Sequence, residues 1–321
     1  MSEVKDKVIG VVENYPGIDL PNLVRKSDYW IGKILNALDS LHSNRQIVVK
    51  EGFFYLPNQN FSQKYEYGEE EEEAEENKEI LAKYRDIVNE KLESYPIYEQ
   101  YRCTDLTNLR RYNLISKNNV SNKNLLFFGD DDLTSIILSL GKKDELGKIY
   151  VVEIDQRICK KIKNISEDHN LDIEVIHKDY RSELNLDKKI DIFFADPPGN
   201  IESVSTISYH INRLKTDRST FYLSFPLFMT QMQREEFLKS INELGFCVDE
   251  IYENFNFYDN RCYFETYCSE KERQILKKLG YTKERLENSR SFMSYNLFVL
   301  KAEKNIKSDI SYDIYSRITS I

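Results

Sequence analysis

The sequence contains no uninterrupted apolar run of 18 residues, which a membrane-spanning helix would need. Its first residues also lack the charged-then-apolar pattern of a secretory signal. Cysteine is sparse, and the five cysteines form no C-x-x-C pair and have no histidine cluster beside them. Neither a zinc site nor a disulfide framework is therefore expected. We expect a cytoplasmic protein with reduced thiols, no bound metal and no membrane contact.

Acidic residues outnumber basic ones, with 54 Asp and Glu against 45 Lys and Arg. The formal net charge of the 321 residues is −9, and residues 66–79 alone contribute −8 because they contain nine Glu and one Lys. A block of like charges is usually a solvated linker, so we assign residues 58–79 to an acidic linker. The alternative is that this block concentrates a polycation.

Residues 1–57 have the pattern of a winged-helix domain. Three segments with helical apolar spacing precede residues 46–56. In these residues a strand-like alternation on both sides of Glu51-Gly52 predicts a β-hairpin. The helix before such a wing often binds DNA, which requires clustered positive charge. Here that helix carries only Lys33 as a base, and residues 1–57 balance seven Lys/Arg against seven Asp/Glu. We expect no nucleic-acid binding and favour docking or dimerisation, as in a homodimer.

Strand and helix patterns alternate along the rest of the chain. The predicted strands are residues 125–128, 148–154, 173–176, 190–195, 221–225, 248–252 and 297–301. This alternation predicts a parallel, doubly wound α/β sheet of Rossmann-like type. We assign residues 80–301 to this catalytic domain and residues 302–321 to a tail. Ligands of such sheets bind beyond the carboxyl ends of the strands.

The loop after the first of these strands carries Gly129 followed by Asp130, Asp131 and Asp132. A nucleotide-binding loop at this position normally has further glycines, whose N–H groups hold phosphate at a helix N-terminus. Three carboxylates would repel a phosphate. One aspartate could merely cap the helix. Adjacent like charges raise one another's pKa, however, and we expect a positive ligand to complete the site.

Acidic residues also follow the next strands. Glu153 and Asp155 stand where Rossmann-type sheets hold ribose hydroxyls, although Asp155 also suits a helix cap. Asp179 follows the third strand and could accept a hydrogen bond from an adenine amino group. Asp196 follows the fourth strand, where Pro197-Pro198 fixes the turn. Together these residues predict a nucleoside-binding crevice.

The set of strand ends resembles the fold shared by methyltransferases and aminopropyltransferases. S-adenosylmethionine carries a carboxylate that three aspartates would repel, whereas its decarboxylated form ends in an ammonium that they would attract. Two unit charges about 4 Å apart interact by a few kcal/mol at an effective dielectric near 20, which is enough to reverse a preference. We expect decarboxylated S-adenosylmethionine as co-substrate and no tightly bound cofactor.

The motifs GDDDLTS, VVEID, KDYR, FFADPP and ENFNFY, with the EQYR…LRR segment over residues 99–111, resemble those of branched-chain polyamine synthases. The resemblance implies a winged-helix domain, a Rossmann-like domain and aminopropyl transfer to the secondary amine of spermidine, with release of methylthioadenosine. The chain departs from the family pattern at Gly199-Asn200, where an acidic residue followed by Thr is expected, and at Phe257, where Glu is expected. The acceptor is therefore left open, and Glu202 or Asp259 could compensate.

We divide the candidate residues between catalysis, donor and acceptor. A protonated amine cannot attack, so a carboxylate must take its proton. The expected catalytic residues, which also bind the acceptor, are Asp131 and Asp196. The expected donor-binding residues are Gly129, Asp132 (at the ammonium), Glu153, Asp155 and Asp179. The expected acceptor-binding residues are Asp130, Glu99, Tyr101 and Tyr258, with helix capping as the alternative for Asp130 and ordinary packing for the tyrosines.

Two other functional classes stay open at this point. The first is an S-adenosylmethionine-dependent amino-group methyltransferase, since such enzymes have a similar Pro-Pro motif followed by an aromatic residue. Gly199 replaces that aromatic residue here. The second is a non-enzymatic winged-helix regulator that senses a polyamine or nucleoside, against which the neutral charge balance of residues 1–57 argues.

Overall fold

The computed structural model of the chain describes residues 2–27, 29–65, 75–89, 92–226, 231–287, 291 and 294–302. The chain forms two compact units. The N-terminal unit consists of Met1–Glu73 and Phe257–Ser294, and the sheet unit consists of Ala74–Asn256 and Tyr295–Ile321. Residues 66–74 of the predicted acidic linker, and the predicted tail after residue 302, lie outside the described residues.

The N-terminal unit begins with the three helices and the hairpin expected from the sequence, together with a short strand, β1, that was not predicted. They are α1 (Ser2–Asn14), β1 (Ile18–Asp19), α2 (Leu20–Ser27), α3 (Ile31–Ser43), β2 (Val48–Lys50) and β3 (Phe53–Tyr55). β3 pairs antiparallel with both β1 and β2. Glu51 and Gly52 have φ angles of 54° and 77°, the positive values that a tight two-residue hairpin needs. The designation as a winged-helix domain stays a prediction.

The N-terminal unit also includes a helical segment from the late part of the chain. It comprises α10 (Asn260–Cys262), a π-helical turn (Tyr263–Tyr267), α11 (Glu270–Lys278) and α12 (Lys283–Glu287). Lys278 Nζ lies 2.6 Å from Asp39 Oδ1 on α3. The Tyr281 hydroxyl accepts the Leu20 N–H over 2.8 Å and donates to the carbonyl of Gly52.

The predicted division of the chain differs from these units. The sequence places residues 257–294 in the domain over residues 80–301, whereas they belong to the N-terminal unit. The contacts of Lys278 and Tyr281 join residues 239 and 261 positions apart. Such long-range contacts leave no local periodic pattern, which is why the sequence did not indicate them.

The sheet unit contains every strand predicted between residues 125 and 301. Its elements are α4 (Glu75–Val88), a 3₁₀ turn (Pro96–Tyr98), α5 (Asp105–Lys117), β4 (Leu125–Phe128), α6 (Thr134–Gly141), β5 (Ile149–Glu153), α7 (Gln156–Asp168), β6 (Ile173–His177), β7 (Ile190–Ala195), α8 (Ile201–Leu214), β8 (Lys215–Phe225), α9 (Gln231–Glu243), β9 (Phe246–Phe257) and β10 (Ser294–Ala302).

The seven strands of this sheet lie in the order β6-β5-β4-β7-β8-β10-β9. Parallel pairing joins β6 to β5, β5 to β4, β4 to β7 and β7 to β8. β10 instead runs antiparallel to β8. The predicted parallel sheet is therefore confirmed for five strands and wrong at β10. An apolar pattern indicates that a strand is buried, but it does not indicate the direction in which the strand runs.

Both faces of the sheet are covered. Along β4, Leu125 and Phe127 pack in the core cluster that includes residues of α4, α5, α6 and α7. Leu126 and Phe128 point the other way and pack in the cluster that includes residues of α8 and α9. Successive side chains of a strand point to opposite faces, so a fully apolar strand is buried on both sides. The doubly wound arrangement follows from this.

The strand order reverses between β4 and β7. In the register of this pair Phe128 lies opposite Ala195, and each residue ends its strand. The loops that follow, with Asp130–Asp132 on one side and Asp196 on the other, are therefore neighbours. Open α/β sheets bind their ligands in the crevice at such a reversal.

Candidate active site

The loop from β4 to α6 begins with a sharp turn at Gly129, whose φ is 75°. A residue with a side chain would be strained at this angle. The Gly129 N–H donates to the Val152 carbonyl over 2.8 Å, which fixes the loop against β5. Leu133, just before α6, also has a positive φ of 61°. This conformation is unusual for a bulky residue, and such strain is concentrated at functional sites.

Asp130 caps α6. Its carboxylate accepts the N–H groups of Thr134 and Ser135 over 2.7 Å and 3.2 Å, and it also accepts the Ser135 hydroxyl. Burial raises the pKa of Asp130 to about 8, even though these hydrogen bonds favour the charged form. Of the two roles that the sequence left open for Asp130, this geometry supports helix capping over acceptor binding.

Asp132 is paired with a buried arginine. Arg111 Nη1, on α5, lies 2.7 Å from Asp132 Oδ2, and the Arg111 side chain has no exposed surface. Asp132 Oδ1 accepts the backbone N–H of Cys103 over 2.6 Å. Both carboxylate oxygens therefore already bond to the protein. This differs from the predicted contact between Asp132 and the ammonium of a donor.

Arg111 also contacts the second carboxylate loop. Its Nη2 donates to Asp196, which follows β7, and its Nε donates to Asn256 Oδ1 over 2.8 Å. The guanidinium lies 4.9 Å from the ring centroid of Phe194, within cation–π range. The side chain of Asp196 is 13% exposed, so it reaches the edge of the crevice.

Asp131 differs from its two neighbours. It is half-buried, and within the described part of the chain its carboxylate has no hydrogen bond or salt bridge. Burial raises its pKa well above the usual range, and the nearby carboxylates raise it further; these belong to Asp132, Glu153, Asp196 and Asp130. A cation beside Asp131 would relieve both effects. This is the position of the loop best suited to a positive ligand.

Glu153 ends β5 and is buried. Its Oε2 accepts the Asp130 N–H over 2.9 Å and its Oε1 accepts the Asp155 N–H over 2.8 Å. Burial raises the pKa of Glu153, while these backbone hydrogen bonds act in the opposite direction. Each carboxylate oxygen has a second lone pair, so Glu153 retains the capacity to accept ribose hydroxyls.

Asp155 caps α7 and is held by two further side chains. It accepts the Arg157 N–H over 2.9 Å, pairs with the Arg157 guanidinium and accepts the Gln100 amide over 3.0 Å. Burial alone would raise the pKa of Asp155, but the hydrogen bonds from Arg157 and Gln100 outweigh burial and lower it. The helix-capping alternative for Asp155 is thus observed.

Asp179, the predicted adenine contact, is bonded to Arg181. Its carboxylate accepts the Arg181 N–H over 2.8 Å and the guanidinium over 2.6 Å. Burial would raise the pKa of Asp179, but the bonds from Arg181 prevail and lower it. Asp179 therefore lies beyond β6 as expected, while its adenine contact stays a prediction.

The predicted acceptor residues fall in both units. Glu99 is exposed with a φ of 53°, and Tyr101 is half-buried beside it in the sheet unit. The residues flanking Tyr101 reach Asp155, through Gln100, and Asp132, through the N–H of Cys103. Tyr258 is buried and belongs to the N-terminal unit. Acceptor contacts for all three stay predictions.

The two carboxylates named as possible replacements for the missing acidic residues, Glu202 and Asp259, belong to different units. Glu202 is exposed on the first turn of α8. Asp259, in the N-terminal unit, is paired with Arg261 over 2.7 Å. A Cβ atom added at Gly199 would lie 2.8 Å from Pro226 Cγ and 3.2 Å from the Tyr295 hydroxyl. The glycine therefore permits close packing of the loop after β7.

Two residues of the site were missed by sequence reasoning. Arg111 and Gln100 lie in the EQYR…LRR segment that carries part of the family resemblance, but no role was assigned to either. An arginine in a predicted helix looks like an exposed residue. The available signal was the run of three adjacent aspartates with no positive residue beside them in the sequence. Buried carboxylates are normally paired, so a positively charged side chain was to be expected nearby.

Comparison with known proteins identifies the family. Residues 79–315 match the family model described as the branched-chain polyamine synthase A C-terminal domain, which is most of the chain. The chain belongs to the branched-chain polyamine synthase family. The family predicted from the sequence motifs is thus confirmed.

Two relatives are both N(4)-bis(aminopropyl)spermidine synthases. The one from Methanocaldococcus jannaschii is 34% identical over 193 residues, which cover 58% of this chain and 55% of the relative. The one from Thermococcus kodakarensis is 28% identical over 194 residues, which cover 58% of this chain and 55% of the relative. The matched region spans about half the length of these curated relatives.

Two solved structures share the fold. The branched-chain polyamine synthase from Thermus thermophilus, in complex with N4-aminopropylspermidine and 5'-methylthioadenosine, gives a TM-score of 0.73 at 17% identity and covers 96% of this chain and 89% of that chain. A putative RNA methyltransferase from Pyrococcus horikoshii gives a TM-score of 0.50 at 13% identity, and the match covers 72% of this chain and 100% of that chain. The Rossmann-like fold is thereby confirmed.

The described residues contain neither a membrane-spanning helix nor a metal-binding cluster. Among them, no helix combines the length and the apolar character needed to cross a membrane. In the same residues, no group of three or more His, Cys, Asp and Glu side chains is arranged to hold a metal ion. All five cysteines are free thiols.

Proposed function

We propose that the protein is an aminopropyltransferase that moves aminopropyl groups from decarboxylated S-adenosylmethionine to a secondary amine of spermidine or a related polyamine. Family membership supports the reaction class. The observation that carries the assignment is the crevice at Asp131, whose carboxylate has no bonded partner among the described residues and whose pKa is raised by burial and by four nearby carboxylates. Such a site favours cationic ligands.

The donor is expected to lie across the ends of β4 and β5. Glu153 is the candidate for the ribose hydroxyls because its oxygens face the loop N–H groups at the end of β5. The aminopropyl end of the donor then points toward Asp131. Because Asp132 is already bonded to Arg111 and Cys103, we assign the attraction of the donor ammonium to the combined charge of the loop and not to Asp132 directly.

The transfer is a displacement at carbon. The secondary amine of the acceptor must first lose its proton, since amines of this kind titrate near pH 10. Its nitrogen then attacks the propyl carbon bonded to the sulfonium. The new C–N bond forms as the C–S bond breaks, and the electron pair goes to sulfur, which leaves as methylthioadenosine. The sulfonium already activates the carbon, so the protein supplies positioning and electrostatic stabilisation.

Asp131 is the proposed base. A carboxyl whose pKa is raised well above its usual range holds a proton more tightly than an ordinary aspartate, and a base is most effective when its pKa is near the working pH. Asp196, at the edge of the crevice, is proposed to hold the charged acceptor. The homodimer suggested by the sequence stays a prediction.

A methyltransferase is the second candidate, because methyltransferases share this fold. The packing of Gly199 against Pro226 argues against it, since the aromatic residue that would stack on a target base has no room there. The three-aspartate loop also disfavours the carboxylate of S-adenosylmethionine. Calorimetry with the two donors separates the candidates. We expect at least tenfold tighter binding of the decarboxylated donor, equivalent to about 1.4 kcal/mol; tighter binding of S-adenosylmethionine would contradict the proposal.

The direct test is product analysis. The protein is incubated with decarboxylated S-adenosylmethionine and a panel of polyamines, and products are identified by mass spectrometry. We expect methylthioadenosine and a branched polyamine one or two aminopropyl groups heavier than the acceptor. Methylated product, or salt-sensitive DNA binding with no turnover, would instead support one of the other functional classes.

A further inference from the structure

Arg111 is the buried, positively charged residue that joins the loop after β4 to the loop after β7. It lies on α5, which precedes the sheet, and its side chain has no exposed surface. One terminal nitrogen donates to Asp132 after β4 and the other to Asp196 after β7. The transfer steps described above do not use Arg111.

The guanidinium is held on several sides. Its Nε donates to Asn256 Oδ1 over 2.8 Å, and the Asn256 amide in turn donates to Ser224 Oγ over 2.9 Å. Nη1 also contacts Thr134 Oγ1 over 3.2 Å. The planar fork of arginine presents its donors in fixed directions, whereas a lysine ammonium is a single point charge. Only the arginine can reach both carboxylates at once.

We propose that Arg111 is a positioning residue for aminopropyl transfer. Bonded to Asp132 on one side, it holds the Asp196 carboxylate at the edge of the crevice, where the acceptor binds. This inference rests on the proposed function. It also reassigns Asp132, which acts through Arg111 and does not contact the donor. Asp131 is then the one residue of the aspartate loop that faces the ligands, since Asp130 caps α6.

The charge balance of the site supports this division. Charged groups described around Asp196 are Arg111 on α5, Asp131 and Asp132 in the loop after β4, and, next to Asp131, Glu153 at the end of β5. Arg111 is the one positive group in this set. A guanidinium bonded to a carboxylate compensates its charge and fixes its position, so Arg111 holds Asp196 beside the crevice.

The test is Arg111→Lys, with Arg213→Lys as matched control. Arg213 pairs with Glu183 on the surface of the sheet unit, over 2.8 Å, so its replacement makes the same chemical change away from the crevice. We expect Arg111→Lys to lower kcat about 100-fold through loss of alignment. We also expect KM for decarboxylated S-adenosylmethionine to stay within about threefold, because Arg111 is not placed against the donor.

Asn256→Ala tests the same geometry if Arg111→Lys does not fold. It removes the acceptor of Nε and leaves every charge in place, and we expect kcat to fall about tenfold. Asp132→Asn separates positioning from donor contact. A positioning role predicts lower kcat with the affinity for decarboxylated S-adenosylmethionine retained within about threefold, whereas direct contact with the ammonium predicts a loss of about tenfold or more in that affinity alone.

The outcomes separate this inference from the proposed function. Wild-type protein that forms no methylthioadenosine with any polyamine overturns the proposed function and the role of Arg111 with it. Active wild-type protein together with a folded Arg111→Lys variant of unchanged kcat, or one whose loss lies in the KM for the donor instead of kcat, overturns the role of Arg111 alone. A fall in donor affinity confined to Asp132→Asn overturns the reassignment of Asp132.

Discussion

The Gln100 side-chain amide donates a hydrogen bond to Asp155 Oδ2 over 3.0 Å, at the point where α7 begins after β5. Gln100 Oε1 accepts the N–H of Tyr95 over 2.8 Å. The Arg157 guanidinium, bonded to the same aspartate, lies 3.2 Å from the ring centroid of Tyr95. Residues 95–100 are therefore tied to the strand end that also carries Glu153.

Gln100→Leu should weaken nucleoside binding. The substitution keeps the size of the side chain but breaks both hydrogen bonds, which releases residues 95–100 from Asp155. Because a hydrogen bond to a charged group contributes about 1.5–3 kcal/mol, we expect roughly tenfold or greater loss of affinity for methylthioadenosine in calorimetry. Asn119→Ala, on an exposed turn of the same unit, is the control. Equal affinity of Gln100→Leu and wild type would show that this segment does not support the nucleoside.

Asp131→Asn should abolish turnover and preserve nucleoside binding. The amide has the shape of the carboxylate but can neither attract the ammonium nor take its proton. General-base catalysis contributes about 10²–10⁴-fold, so we expect kcat to fall by at least about 100-fold. Methylthioadenosine affinity should stay within about threefold, because that product has no ammonium. The exposed Asp187→Asn is the control, and unchanged transfer by Asp131→Asn would remove this residue from the mechanism.

Asp130→Asn should alter the dependence of stability on pH. The pKa of Asp130 is raised to about 8 in the folded chain from an ordinary value of 3.8. Between these values the unfolded chain loses the proton and the folded chain keeps it. The stabilisation from this group is therefore complete below about pH 4 and is lost as pH rises through about 8.

The measurement is urea unfolding of both proteins at pH 5 and pH 8. Asparagine is neutral at both pH values. The free energy of unfolding of the variant, relative to that of wild type, should therefore increase as pH rises. The increase is limited to about 1.4 kcal/mol per pH unit. Other titrating groups are common to both proteins and largely cancel. A difference that stays constant between the two pH values would show that Asp130 titrates normally.

Gly199→Ala should destabilise the sheet unit. The added Cβ atom would lie 2.8 Å from Pro226 Cγ, and a proline ring cannot rotate away. Overpacking of this kind costs about 1–3 kcal/mol, which chemical denaturation detects. The control is Glu202→Ala, since Glu202 is exposed on the next helix. A stable Gly199→Ala variant would show that the loop after β7 has room for a side chain and would weaken the argument against a methyltransferase.

Much of the sheet unit was predictable because its signals are local. Apolar runs bounded by turn residues located β4, β5 and β7, and the acidic residues after them fell at one edge of the sheet as expected. The antiparallel pairing of β10 with β8 was not predictable in this way, since both strands have the same kind of apolar pattern. The same limit applies to residues 257–294, whose contacts reach the N-terminal unit.

In the aspartate loop, too, some features could be predicted from the sequence and others could not. Its composition alone predicted a negative crevice and a cationic donor, and the family resemblance implied spermidine as the acceptor. The different environments of Asp130, Asp131 and Asp132 could not be predicted, because adjacent residues in a loop point in different directions. Asp130 turns toward the α6 N-terminus, Asp132 toward Arg111, and Asp131 is left without a protein partner among the described residues.

The order of strands and helices, the place of the acidic residues and the family were determined by the sequence alone, because hydrophobic periodicity and motif spacing act over a few residues. The tertiary structure decided which carboxylates are paired. Arg111 meets partners 21 and 85 positions along the chain, and only the closing of the sheet brings them together. The physical reason is that a buried charge must be compensated in space, wherever its partner stands in sequence.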